Sequence, residues 1–251
     1  MIDVRDLHKS FGDNHVLRGT TLTIADGESV TIVGQSGCGK SVLLKHLVGL
    51  LMPDSGSVLV DGQDVCSVRR KELYEIRKKF GVLFQGAALF DSMTVEENVS
   101  LALRTHTAMA ADEIAARVQE CLRLVSMDNT QKLKPAELSG GMKKRVGLAR
   151  AIAMQPSYIL YDEPTTGLDP ITADSINDLV VALNNELNVT TVVVTHDMVS
   201  AYKVSDRIVM LHEGKVVFTG TPDETRNASL DIVRRFVTGE ADEVPYVITS
   251  Y

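Results

Sequence analysis

The sequence predicts an α/β fold: a parallel-sheet core, a peripheral antiparallel part and a helical insert. Three observations carry that expectation. Short apolar runs at 30–33, 158–161 and 191–194 lack polar alternation, as strands covered on both faces do. Helical patterns separate these runs, which is the spacing of a parallel sheet. A glycine-rich turn, GQSGCGKS at 34–41, follows the first run and opens an apolar helix through Leu43, Leu44, Leu47 and Val48.

Taken along the chain, strand-like segments at 2–7 and 20–24 read as antiparallel and peripheral. The stretch from about 92 to 154 begins with a capping-box pattern, Thr94 to Glu97, and keeps helical periodicity with little strand character. It is expected as a helical subdomain inserted between the phosphate-binding half and the rest of the sheet. Segments 207–211 and 215–219 flank His212, Glu213 and Gly214, a hairpin signal. A short helical region is expected from Pro222. One domain over residues 1–239 accounts for all of this, leaving a polar, proline-containing tail at 240–251. Its Tyr246, Val247, Ile248 and Tyr251 are costly to leave in water.

Composition narrows the function classes. With 251 residues, 44% of them hydrophobic, the chain can bury a substantial core. Its longest apolar run, Leu47 to Met52, falls far short of the ~20 residues of a membrane span. The first ten residues carry both charge signs and no signal-peptide pattern. Three scattered cysteines, Cys38, Cys66 and Cys121, fit a reducing cytosol without disulfides or a zinc site. A net charge of −7 argues against nucleic acid. The basic clusters at 69–71 and 77–79 read as solvated helical faces.

The motifs point to phosphate chemistry. In Gly34-Gln35-Ser36-Gly37-Cys38-Gly39-Lys40-Ser41-Val42, the glycines let backbone N–H groups turn inward around phosphates at a helix N-terminus. Lys40 is expected to reach the β- and γ-phosphates of ATP, and Ser41 to bind Mg²⁺. Asp162 ends an apolar strand, where the carboxyl end faces a ligand crevice, and suits the same Mg²⁺. Glu163 follows it and suits the polarising of an attacking water; the alternative is a pair of solvated carboxylates. Ser139 reads as an N-cap, with Gly140 and Gly141 leaving N–H groups uncovered ahead of Met142. Lys143, Lys144 and Arg145 then crowd a first helical turn that disfavours cations, which we read as the mark of an anion held in front of the helix. Cys38, near a helix N-terminus that can lower a thiol pKa, is a conceivable redox switch in a position that also tolerates any side chain.

The segment 138–142 resembles the signature of the ATP-binding cassette (ABC) ATPases, with Met142 where glutamine is more usual, and the resemblance covers nearly the whole chain. It implies that Ser139, Gly140, Gly141 and Met142 close over the ATP of an opposing subunit, so that two copies form a head-to-tail dimer with two composite sites. It also implies that Phe11 stacks on adenine, although a lone Phe is otherwise most often core. By the same resemblance Gln85 senses Mg²⁺ and water, Asp169 lies on a loop crossing the dimer interface, and His196 contacts the γ-phosphate. Asp169 with Pro170 is equally a good helix start.

Two classes of machine fit such a chain: the motor of a membrane transporter, or a soluble ABC ATPase acting on DNA or ribosomes. The second usually carries a long coiled coil or two cassettes, and neither is present in this sequence. The combination of Val42 to Lys45, 83–90 and 138–142 resembles the Mla/Ttg2-type cassettes, which power phospholipid transport between inner and outer membranes. That resemblance implies an integral membrane permease, an MCE-type substrate-binding protein and a small STAS-type protein as partners. It also implies peripheral attachment at the cytoplasmic face of the inner membrane. A different transported substrate is the alternative. Ala87, Ala88, Leu89 and Phe90 follow Gln85 where a membrane subunit is expected to dock; the bland reading anchors them in the core.

Overall fold

In the computed structural model, which describes residues 1–240, the chain starts with a long hairpin of β1 (Ile2–Phe11) and β2 (Asn14–Ile24). Both strands are longer than the sequence pattern suggested. Register shifts interrupt their pairing at three places, and such bulges break the apolar alternation from which strand length is read. β3 (Ser29–Val33) then leads through the glycine-rich turn into α1 (Lys40–Leu47). Next come β4 (Ser55–Val60), β5 (Gln63–Asp64), α2 (Arg70–Lys78) and β6 (Phe80–Leu83). A helical stretch follows: α3 (Val95–His106), α4 (Ala111–Leu124) and α5 (Gly140–Ile152). The chain returns to the sheet with β7 (Tyr158–Asp162), α6 (Pro170–Leu187), β8 (Thr190–Thr195) and α7 (Met198–Val204). It continues with β9 (Arg207–His212), β10 (Lys215–Gly220), α8 (Pro222–Arg226) and α9 (Asp231–Thr238).

β3, β7 and β8 are buried at every residue, which is why they read as unbroken apolar runs. They lie inside a six-stranded sheet ordered β10-β9-β3-β8-β7-β6. All its pairings are parallel except that of β10, which closes the edge as a hairpin with β9. Glu213 (φ 45°) and Gly214 (φ 74°) supply the two left-handed residues of a tight hairpin turn. A second sheet, β2-β1-β4-β5, is antiparallel throughout.

Among the described residues the layout gives a small core, formed by Val33, Ala201, Ile208, Met210 and Val233, and two large ones. One lies between the sheets and around α1, with Leu43, Leu44 and Leu47 fully or almost fully covered. The other joins the helical stretch to α6 and the far face of the parallel sheet. Arg69, Arg70, Lys71 and Arg77 are exposed along α2, as expected of a solvated face, although Arg77 also bonds to the carbonyls of Val48 and Gly49 and Lys79, just past the helix, bonds to Asp61 at 2.6 Å. The expected tail at 240–251 lies, beyond Glu240, outside the described residues.

Candidate nucleotide site

The glycine-rich turn is shaped by its packing. Gly34 has φ 155°, and a Cβ there would stand 2.2 Å from the Leu211 carbonyl. Gly39 caps α1 with φ 107°, a conformation that L side chains rarely adopt, and a Cβ there would press on the backbone of Val16. The backbone therefore rests directly on β2 and β9, leaving the start of α1 open. Lys40 is buried, and its Nζ donates to the carbonyls of Gly34 (2.8 Å) and Gln35 (3.0 Å) of its own loop. Its ammonium thus lies inside the curve of the turn. A cleft of about 740 Å³ opens alongside, lined in part by Asn14, Val16, Gln35, Ser36, Gly37 and Cys38. Phe11 pairs with Asn14 at the hairpin end and is half exposed, with Lys9 Nζ 5.6 Å from its ring centre. It is not a core residue. Val42 lies in the first turn of α1, partly buried against the intersheet core.

Ser41 and Asp162 meet from opposite sides of the cradle: the serine hydroxyl donates to Asp162 Oδ1 at 2.8 Å. A hydroxyl and a carboxylate are hard oxygen donors of the kind Mg²⁺ takes. No group of three or more His, Cys, Asp or Glu that could hold a metal occurs among the described residues. This donor set fits an ion completed by phosphate oxygens and water.

Glu163 follows at the end of β7 with φ 51°, an unusual backbone state for a non-glycine residue. Its N–H donates to the Val194 carbonyl at 2.9 Å. Thr166 Oγ1 donates to Glu163 Oε2 at 2.9 Å, and His196 Nδ1 lies 3.0 Å from Oε1. Adjacent parallel strands bring them together, since β7 and β8 pair Asp162 with Val194. Lys40, Ser41, Asp162, Glu163 and His196, drawn from three segments of the chain, thus gather at the carboxyl ends of β3, β7 and β8.

The other residues singled out from the sequence stand apart from this cluster. Ser139 caps α5, accepting from Met142 N at 3.3 Å, and with Gly140 it is exposed. Gly141 is buried so closely that a Cβ would stand 2.6 Å from Thr172 Cγ2, and Met142 packs on the helical core. Among the described residues no hydrogen bond joins 139–142 to the glycine-rich turn. Asp169 caps α6, accepting from the N–H groups of Ile171 and Thr172, so the helix-start reading is realised. Gln85 is exposed just after β6. Ala87 is buried in the helical core and Leu89 packs partly buried against it, as the core reading has it, whereas Phe90 is half exposed.

Two expectations need correction. Lys144 and Arg145 are taken up by groups of the chain itself, so their place in the first turn needs no anion in front of the helix to explain it. Lys144 is buried, and its Nζ donates to the carbonyls of Gln85 and of Glu163, the latter at 3.0 Å. Arg145 donates to the Val125 carbonyl and to Ser175 Oγ. Local hydrogen bonding accounts for two of the three cations in that turn. Burial pushes the Lys144 ammonium down, against the Asp162 and Glu163 carboxylates that push it up. The Cys38 thiol is pushed up by burial despite Lys40 beside it, opposite to the shift a redox switch needs.

Sequence reasoning did not find Lys144 as a link to Glu163, nor Asn98, whose buried amide bonds to Phe90 on both backbone groups. The one available signal was the cation crowding in the first turn of α5.

Comparison with known proteins gives concordant matches. Residues 17–166 match the family described as ABC transporter. A probable ribonucleotide transport ATP-binding protein of Mycobacterium leprae is 43% identical over 238 residues, spanning 95% of this chain and 69% of its own length. The intermembrane phospholipid transport system ATP-binding protein MlaF of Haemophilus influenzae is 39% identical over 242 residues, spanning 96% of this chain and 92% of its own length. The dimeric cassette MJ0796, solved in a post-hydrolysis state with ADP and Pi, superposes with a TM-score of 0.81 at 36% identity, covering 88% of this chain and 99% of that one.

Proposed function

The chain belongs to the ABC transporter family as an ATP-binding, ATP-hydrolysing subunit, and from that premise we propose that it powers phospholipid movement between two membranes. The observation that carries the substrate class is the match to MlaF along nearly the full length of both chains. The gathered cluster of Lys40, Ser41, Asp162, Glu163 and His196 supports the chemistry.

In this reading Lys40 leaves the Gly34 and Gln35 carbonyls for the β- and γ-phosphates, which the N–H groups of the 34–42 segment surround. Phe11 stacks on the adenine. Ser41 and Asp162, with Gln85, hold Mg²⁺, which when bound neutralises charge on the phosphate oxygens. Glu163 accepts a proton from the attacking water, and its carboxylate is kept in place by Thr166 and His196. His196 also contacts the γ-phosphate. Ser139, Gly140, Gly141 and Met142 complete the site of a second copy in a head-to-tail dimer, and Asp169 lies at the interface. The dimeric state of MJ0796 supports that arrangement.

No helix among the described residues is long and apolar enough to cross a membrane. The transport path therefore belongs to an integral membrane permease, with the 85–90 loop as its docking surface and Phe90 as the exposed anchor. An MCE-type protein and a small STAS-type protein complete the complex, at the cytoplasmic face of an inner membrane. A second reading, nucleotide transport, has the M. leprae relative in its favour.

The test is to isolate the chain with its membrane partners by affinity tag, reconstitute the complex in liposomes and supply fluorescent phospholipid or labelled ribonucleotide. ATP-dependent phospholipid transfer that disappears with Glu163→Gln is expected. Movement of ribonucleotide alone replaces the proposal with the second reading.

A further inference from the structure

The loop after Gln85 is fastened to α5 at three points. Arg150 Nη1 and Nη2 donate to the carbonyls of Ala88 and Ala87, each at 2.6 Å, and Lys144 Nζ takes the carbonyl of Gln85. Between them Gly147 lets the loop sit on the helix itself, for a Cβ there would come within 2.7 Å of Leu83 Cδ1 and 3.3 Å of Ala87 Cβ. Ala87 (φ 60°) and Ala88 (φ 47°) both hold left-handed backbone states that these bonds keep in place. The loop and α5 are thus built to move as one body.

Lys144 joins that body to the chemistry. It is only 4% exposed, and among the described residues its ammonium hydrogen-bonds only to the carbonyls of Gln85 and Glu163, with the Asp162 and Glu163 carboxylates near enough to favour its charge but beyond ion-pair distance. Burying a charge without a paired carboxylate is costly, and a neutral side chain would fill the space at less cost. What the ammonium provides is a fixed bond to the Glu163 carbonyl, while the Glu163 N–H is held by the Val194 carbonyl at 2.9 Å. Pinned at both ends, the backbone of Glu163 keeps φ 51° and aims its carboxylate at His196.

We propose that Lys144 is a positioning residue which makes ATP turnover depend on where the 85–90 loop sits. A shift of the loop with α5 draws the ammonium off the Glu163 carbonyl, and the carboxylate loses the pose in which it takes a proton from water. A partner that presses on the loop thereby controls the reaction without touching the nucleotide. This inference rests on the reading of Glu163 as the group that polarises water.

The experiment compares full-length Lys144→Met, Lys144→Arg and Glu163→Gln with the parent, reading kcat, KM for ATP, the Kd of a fluorescent ATP analogue and Tm. Misplacing a reacting group by about 1 Å costs on the order of 10²-fold. Lys144→Met is expected to lower kcat by about 10- to 100-fold with KM and Kd within about threefold, and Lys144→Arg, which keeps the donors, to recover most of the loss. Should Lys144→Met fail to fold, Lys144→Gln serves in its place, with the same split between kcat and KM expected. An unchanged kcat overturns the proposal, as does a fall in kcat matched by loss of nucleotide binding in every folded variant. Parent-like turnover in Glu163→Gln instead removes the underlying reading of that residue.

Discussion

His196 Nδ1 stands 2.9 Å from Glu163 Oε2, with the histidine side chain 59% exposed and the carboxylate 12% exposed. The pair joins the ends of two neighbouring parallel strands. One partner is open to a ligand and the other is shielded beneath it, an arrangement suited to holding a base in place while a phosphate is read from outside. Replacing Glu163 by Gln keeps the shape and removes the basic oxygen. Turnover measured by phosphate release should fall at least ~10²-fold while ATP binding persists and the dimer accumulates with ATP and Mg²⁺.

The 85–90 loop divides its apolar side chains between core and surface. Phe90 is 50% exposed, whereas Leu89 packs on the helical core. Phe90→Glu should release the membrane subunit in a pull-down and leave Tm within about 2 °C of the parent. Leu89→Glu puts an unpaired charge against the core and should lower Tm by about 5 °C or more. Equal thermal losses for both would mean that Phe90 is structural.

Burial pushes Asp61 up, but hydrogen bonds from Lys79 and Tyr158 outweigh it and hold the carboxyl at about 2, below its ordinary 3.8. A carboxyl depressed on folding stabilises the protein above its unfolded pKa and loses that contribution as pH falls through the folded value. The effect should be complete above about pH 4 and fade toward pH 2. Lys79→Met should therefore move the acid-unfolding midpoint upward, followed by circular dichroism. Unchanged acid unfolding would show that solvent screens the pair.

Much of this architecture is legible in residues 30–33, 158–161 and 191–194, because strands buried on both faces tolerate nothing but apolar or hydroxyl side chains. Asp162 and Glu163 are legible for the same reason, as the first polar groups beyond 158–161, whereas His196, which follows Thr195, is reached only through the resemblance to the family. Lys144 is not. It sits near the start of a helix, and its purpose depends on Gln85, 59 positions earlier, and on the Glu163 carbonyl. For Cys38, nearness to a helix start is visible in sequence, whereas the burial that pushes its thiol up is not. Leu89 and Phe90 are adjacent apolar residues in an irregular loop, where no periodicity tells inside from outside.

The central claim is that the site is completed between two chains, and it can be tested by mixing variants. A Ser139→Arg chain keeps Lys40, and a Lys40→Ala chain keeps Ser139, so their heterodimer holds one intact site and one doubly defective site. Each variant alone should hydrolyse ATP at no more than a few hundredths of the parent rate, roughly the loss expected for removing a transition-state contact. The mixture should recover turnover several-fold above the sum of the two, rising to a maximum near equal amounts. Parent-like hydrolysis by Ser139→Arg alone, or a mixture no faster than its components, would contradict a composite site.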